Sequence, residues 1–141
     1  MKNIIITSVA LIALVFAITV LVMMWSFWEP VNLEKDSLVY KLKVPQDAKQ
    51  FPVWSQVTLP RYDISIADGE KPSATKMWYD SSLPLNSLIN KAEETGFKCQ
   101  QFETNAAICD KEIGEGRSQQ LIFQKVEGDK YSNVKALFIG Y

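Results

Sequence analysis

The stretch from Ile4 to Met24 reads IIITSVALIALVFAITVLVMM, twenty-one residues in which Thr7, Ser8 and Thr19 carry the only polar side chains. No other feature of the chain constrains its fold so strongly. At about 1.5 Å rise per residue it would make a helix of about 31 Å, matching the roughly 30 Å hydrocarbon layer of a bilayer. Serine and threonine hydroxyls can bond back to carbonyls of the preceding turn, so they need not interrupt such a helix. The stretch therefore predicts one transmembrane helix whose first partner, through residues 4–24, is the lipid bilayer.

The next residues, Trp25-Ser26-Phe27-Trp28-Glu29-Pro30, place Trp25, Phe27 and Trp28 where amphipathic rings favour the headgroup level. Pro30 then stops the helix. Orientation rests on Lys2, because positive charge beside a membrane helix stays in the cytoplasm while acidic residues count little. The N-terminus is expected inside and the rest of the chain outside. A cleaved signal peptide competes with this reading, since Lys2 precedes the apolar run and Val15-Phe16-Ala17 offers small residues at a cleavage site. Cleavage there would leave an exposed apolar start, ITVLVMMWSFW. No cysteine sits in a lipobox, and the first glycine is Gly69.

Residues 1–28 form the anchor with its aromatic rim, 29–36 a short polar linker, and 37–141 a single domain of ordinary size. Beyond Lys2 the chain carries fourteen basic and sixteen acidic residues without a long run of either sign. That balance argues against a nucleic-acid partner, which calls for a basic face. The chain has no histidine. The commonest general base, triad partner and metal ligand are thereby missing together. Two cysteines without histidine cannot complete a four-ligand zinc site. No catalytic residue, metal or cofactor is assigned, and a non-enzyme is expected.

Within the domain, Ser37 to Val44 alternates through Leu38, Tyr40, Leu42 and Val44 and predicts a half-buried strand. Val53 to Leu59, Arg61 to Ala67 and Ala74 to Tyr79 are read as three more strands, with a turn at Asp68-Gly69. Leu85, Leu88, Ile89 and Ala92 recur at helical spacing, so a helix is expected from about 84 to 95. Ser81 and Ser82 are its candidate caps, Pro84 lies in its first turn and Gly96 at its C-terminal cap. Phe97 to Phe102 and Ala106 to Lys111 form a hairpin around Glu103-Thr104-Asn105, with Asn105 left-handed. Counting outward, Phe102 faces Ala106 and Cys99 faces Cys109. That register brings the two cysteines directly opposite each other, where a disulfide fits. A disulfide implies an oxidising compartment, in agreement with the direction of the anchor. Gly114 to Ser118 is read as a flexible loop without the spacing of a phosphate-binding motif. Gln119 to Val126 and Asn133 to Gly140, joined by Glu127-Gly128-Asp129-Lys130, are apolar enough to be central strands beneath the helix. The class is α+β, a mainly antiparallel sheet with one packed helix behind a single membrane span.

Several motifs invite chemistry. Ser73-Ala74-Thr75-Lys76 and Ser132-Asn133-Val134-Lys135 match S-x-x-K, which activates a serine only when serine and lysine lie one helical turn apart. The first falls in a segment read as strand, and the companion S-D-N and K-T-G elements are absent. Glu93 and Glu94 are read as a solvated end of the helix. Trp54 and Trp78 with Asp63 and Asp80 would serve a glycan-binding or enzymatic groove if the rings paired in solvent beside a carboxylate; burial of both would exclude it. The leading expectation is an accessory subunit of an assembly in a bacterial inner membrane, with a periplasmic domain that contacts a protein. An inhibitor or immunity protein against an exported enzyme is the alternative. Small residues Ser8, Ala10, Ala13 and Ala17 leave room for the membrane helix to pack against another subunit.

Overall fold

A computed structural model describes residues 2–67, 72–102, 104–114, 116–126 and 134–141. The apolar run is helical throughout, as α1 (Lys2–Phe27). Its Ser8–Phe27 portion is long and apolar enough to cross a membrane, and none of it is buried against the rest of the chain. Two of its hydroxyls back-bond as expected, Thr19 Oγ1 to the Val15 carbonyl and Ser26 Oγ to the Val22 carbonyl, each at 2.8 Å.

Residues 29–36, read from sequence as a linker, lie against the edge of the sheet. Ile64 N–H donates to the Pro30 carbonyl at 3.0 Å. The Asn32 amide, at a positive φ of 55°, donates to Asp63 Oδ1 at 2.6 Å. The short strand β1 (Leu33–Glu34) then pairs antiparallel with β2 (Arg61–Ser65), Leu33 opposite Tyr62.

The strand expected over 37–44 is instead a short helix, α2 (Leu38–Lys43), and a second, α3 (Gln46–Gln50), follows it. Alternation at two residues contains the four-residue spacing of a helix, so Tyr40 and Val44 satisfy both patterns. Three local features decide the matter. Ser37 Oγ caps the first turn by accepting from Tyr40 N–H at 3.2 Å. Pro45 breaks the run, with Val44 held extended at φ −73° and ψ 127°. Ala48 then continues Tyr40 and Val44 into one buried stripe at i, i+4 and i+8 across both helices. The expected strand at 53–59 is also absent. Its ladder with the sheet is reduced to one isolated bridge between Gln56 and Ser81, because Ser55 adopts φ 46° and Pro52 and Pro60 lack the amide a ladder needs.

The remaining elements follow the sequence closely: β3 (Ala74–Ser81), α4 (Leu85–Glu94), β4 (Lys98–Phe102), β5 (Ala106–Gly114), β6 (Arg117–Lys125) and β7 (Val134–Gly140). Pro84 sits at the N-cap of α4, just outside the first turn, and no side chain caps that end. Ser81 Oγ is engaged elsewhere, donating to the Trp54 carbonyl at 2.7 Å and accepting from Leu83 N–H at 3.2 Å. At the other end Gly96 takes φ +91°, its amide donates to the Glu93 carbonyl, and Phe97 N–H reaches the Ala92 carbonyl. This double bond is a Schellman closure, which favours glycine at the left-handed residue. Among the described residues the non-glycine positions of positive φ are Asn32 and Ser55, so Asn105 lacks the left-handed conformation expected there. Gly114 pairs with Arg117, so Gly114, Arg117 and Ser118 of the expected flexible loop belong to the paired ends of β5 and β6, while Glu115 lies outside the described residues. The turn at Asp68-Gly69 and the connection at 127–130 lie outside the described residues.

All neighbouring strands are antiparallel, in the order β1-β2-β3-β7-β6-β5-β4. The chain leaves β3 through α4, starts again at the far edge with β4, and meanders back until β7 closes against β3. Period-two alternation sends Tyr62, Met77, Phe138, Leu121 and Cys109 to one face. Leu88 and Ala92 of α4, with Tyr40, Val44 and Ala48, pack over that face. Phe51 fills the space between the helical groups, its ring centroid 4.4 Å from that of Phe138 and 6.2 Å from that of Phe97. The result is a two-layer α+β domain.

Tyr62 in this core is 2% exposed and meets the Tyr40 ring edge-on at 4.8 Å. Burial, with a smaller contribution from the Tyr40 hydroxyl, raises the Tyr62 phenol well above its usual value. Burial likewise raises Tyr79, opposed in part by the Trp54 amide that donates to its hydroxyl. A phenol raised in the folded state loses its proton first in the unfolded chain, at about pH 10. The folded state is therefore fully favoured below that pH and loses stability as pH rises above it, by about 1.4 kcal/mol per pH unit for each such tyrosine. Denaturation midpoints followed from pH 9 to 11.5 should fall less steeply in Tyr62→Phe than in the parent. Parallel slopes would contradict the assignment.

Candidate functional site

The same alternation that fills the core sends a second set of side chains to the opposite face of the sheet. There Trp78 pairs with Leu137, Leu137 with Ile122, and Ile122 with Ile108. These four form a straight apolar row across β3, β7, β6 and β5. Each is half-buried between longer polar neighbours. Asp80, Lys135 and Gln124 make the parallel row on one side; Lys76, Ile139 and Gln120 make the row on the other. No helix of the described chain crosses this face.

An open hollow of about 550 Å³ lies along it, lined by Trp78, Ile122 and Leu137 with Lys76, Asp80 and Lys135 at its margins. A second hollow of about 450 Å³, with Leu59 and Arg61, shares Trp78 and Asp80 with the first. The indole thus stands on the boundary of both. An apolar row flanked by Asp80 and Lys135 on one side and Lys76 on the other suits recognition of a surface.

The carboxylates that sequence offered for chemistry have other partners. Asp63 accepts from the Asn32 amide at 2.6 Å and so fixes the entry to β1. Asp80 Oδ2 accepts from Thr58 Oγ1 at 3.2 Å, while the Asp80 amide donates back to that hydroxyl at 2.9 Å. This reciprocal pair straps residues 55–58 to β3. Trp54 and Trp78 are separated by the sheet. Trp54 packs on the helical side near Phe51 and Phe123, and Trp78 belongs to the open side. They are neither paired in solvent nor fully buried. Lys76 lies in β3, so extended chain separates it from Ser73 and the S-x-x-K geometry does not form; Ser132 lies outside the described residues. Glu93 and Glu94 are exposed at the end of α4. Among the described residues, no three His, Cys, Asp or Glu side chains gather as a metal site would require.

Cys99 and Cys109 are directly opposite in the β4–β5 register and are joined as a disulfide, with Cα atoms 3.9 Å apart. Such a bond points to an oxidising compartment. At the end of α1, Trp25 and Trp28 stack obliquely at 5.4 Å while Phe27 is 75% exposed. Lys43 brings this end of the helix to the domain. Its Nζ donates to the carbonyls of both Trp25 and Trp28 at 2.6 Å and lies 5.1 and 5.4 Å from their ring centroids. An ammonium is favoured here by the partial negative charge of a helix C-terminus and by the faces of the indoles.

No family model, curated protein or solved structure matches this chain. The functional reading therefore rests on its own residues. Leu137, Ile122 and Ile108 were not singled out as site residues in the sequence, although a signal was present. Leu121-Ile122-Phe123 and Ala136-Leu137-Phe138-Ile139 are continuous apolar runs, the pattern of strands covered on both faces. The described residues cover one.

Proposed function

We propose that the protein is a single-pass subunit of a bacterial inner-membrane assembly, held by α1 with its N-terminus in the cytoplasm, and that its exported domain docks a protein partner on the open sheet face. The observation that carries this reading is the row Trp78, Leu137, Ile122 and Ile108. Strands with apolar side chains on both faces are expected where both faces are buried. A contiguous apolar strip without cover marks an interaction site. The charged groups beside the row, Asp80 and Lys135 on one side and Lys76 on the other, would fix register once the partner is seated. Lys2 and the disulfide support the direction of the anchor, since one favours an inside N-terminus and the other an oxidising compartment.

The test is photocrosslinking from single positions in intact membranes. Probes at Trp78 and Leu137 should capture one defined protein, and a probe at Lys91 on α4 should not. A folded, disulfide-bonded protein that captures nothing from the sheet face would sink the reading. Leu137→Asp should weaken capture on the order of tenfold or more, because it puts a charge into the apolar centre of the contact. A reporter fused after Tyr141 checks direction separately, and activity confined to a cytoplasmic reporter would reverse it.

A further inference from the structure

Helix α2 presents two faces of opposite character. Tyr40 and Val44 point into the core, whereas Leu38 and Leu42, one turn apart on the other side, are 70% and 64% exposed. Val31, just beyond the end of α1, is 70% exposed as well. Single exposed aliphatics are ordinary, but these three fall within the first fifteen residues after α1. Their position relative to α1 is fixed by Lys43, which ends α2 and whose Nζ rests on the carbonyls of Trp25 and Trp28. A lysine side chain reaches about 6 Å, so the last turn of α2 lies within about 9 Å of the end of α1. The headgroup layer on each side of the hydrocarbon is about 5–8 Å thick, and interfacial helices bury their apolar face to about that depth.

We infer that α2 is an interfacial helix whose Leu38 and Leu42 enter the headgroup layer of the membrane that α1 spans, so that the domain lies on the lipid surface. The inference rests on the anchor reading of α1. The occupant is lipid, because the leucine face is tied by Lys43 to the two tryptophans at the end of the apolar span. The mixed charges near α2, Lys35 and Lys41 with Asp36 and Asp47, favour no particular headgroup charge.

Quenching by spin-labelled lipids tests this in the full chain. Single cysteines at Ala13, Leu38, Leu42 and Leu59 can carry an environment-sensitive fluorophore, since the two native cysteines are joined. The exposed positions tolerate substitution, and the protein is reconstituted alone in phosphatidylcholine vesicles. Labels at Leu38 and Leu42 should be quenched at least twofold more by a shallow nitroxide than the label at Leu59, which is 74% exposed but flanks the hollow beside Trp78. The Ala13 label should respond to a deep nitroxide. If Ala13 responds and Leu38 and Leu42 match Leu59, the lipid contact is overturned while the anchor stands, and a protein cover for α2 becomes the remaining account. If Ala13 fails to respond, both fall.

Discussion

Replacing Phe138 by alanine should lower the unfolding free energy of the domain by about 3–5 kcal/mol, a large part of the 5–15 kcal/mol that a domain of this size commands. Phe138 is fully buried in β7, the central strand of the sheet. It stands in the middle of one cross-strand row that reaches every strand: Leu33, Tyr62, Met77, Phe138, Leu121, Cys109 and Cys99. The Phe51 ring lies against it, and a Cβ placed on Gly140 would touch its ring at 3.4 Å. Neighbours held by seven paired strands cannot collapse into the space an alanine leaves, so the cavity cost should be near the upper end. Denaturant titration of the full chain in mild detergent, followed by near-ultraviolet circular dichroism, measures it. A loss below about 1 kcal/mol would show that the packing between sheet and helices is looser than described.

Removing the disulfide, as Cys99→Ser with Cys109→Ser, should cost about 2–4 kcal/mol. The bond closes a loop of ten residues of sequence separation, for which the chain-entropy account gives about 3 kcal/mol. The loss should also be uneven. β4 is the outermost strand, paired on one side alone and mostly exposed. Without the bridge, its amides at 98–102 should exchange with solvent much faster than those of β7, which has partners on both sides. The same pattern should appear in the parent protein under reducing conditions. Equal acceleration in β4 and β7 would mean that the bond secures the whole domain and not its edge.

Sequence made one pairing of the row through Phe138 readable. The β4–β5 register could be counted because the hairpin is local and the cysteines mark it. The helix at 85–94 announced itself through an unambiguous stripe and a glycine at its end. The segment 37–44 reads as a strand because Leu38 and Leu42 are apolar yet face outward. They complete an alternating pattern with Tyr40 and Val44, although the buried residues Tyr40, Val44 and Ala48 form a helical stripe. Giving weight to Ser37 as a cap and Pro45 as a break would have favoured the helices. The candidate site was harder to see. The order of strands places β7 beside β3, two elements separated by more than fifty residues, and only that pairing aligns Leu137 with Trp78. No local pattern encodes it.

Lys43, Asp63 and the β1 pairing also decide how this domain can meet anything else. A domain on a slack tether samples many heights and headings, and ordering it on contact costs free energy. Here the first residues after the helix are bonded to the sheet at Pro30, Asn32 and Leu33, and an ammonium closes the joint from the other side. Most of that ordering is complete before any encounter. If α1 spans a bilayer, as proposed, a companion seated in it would need only to drift in two dimensions and turn to the correct azimuth. The joint makes the protein a fixed bracket, and rotation of α1 about its own axis would swing the apolar row through the same angle.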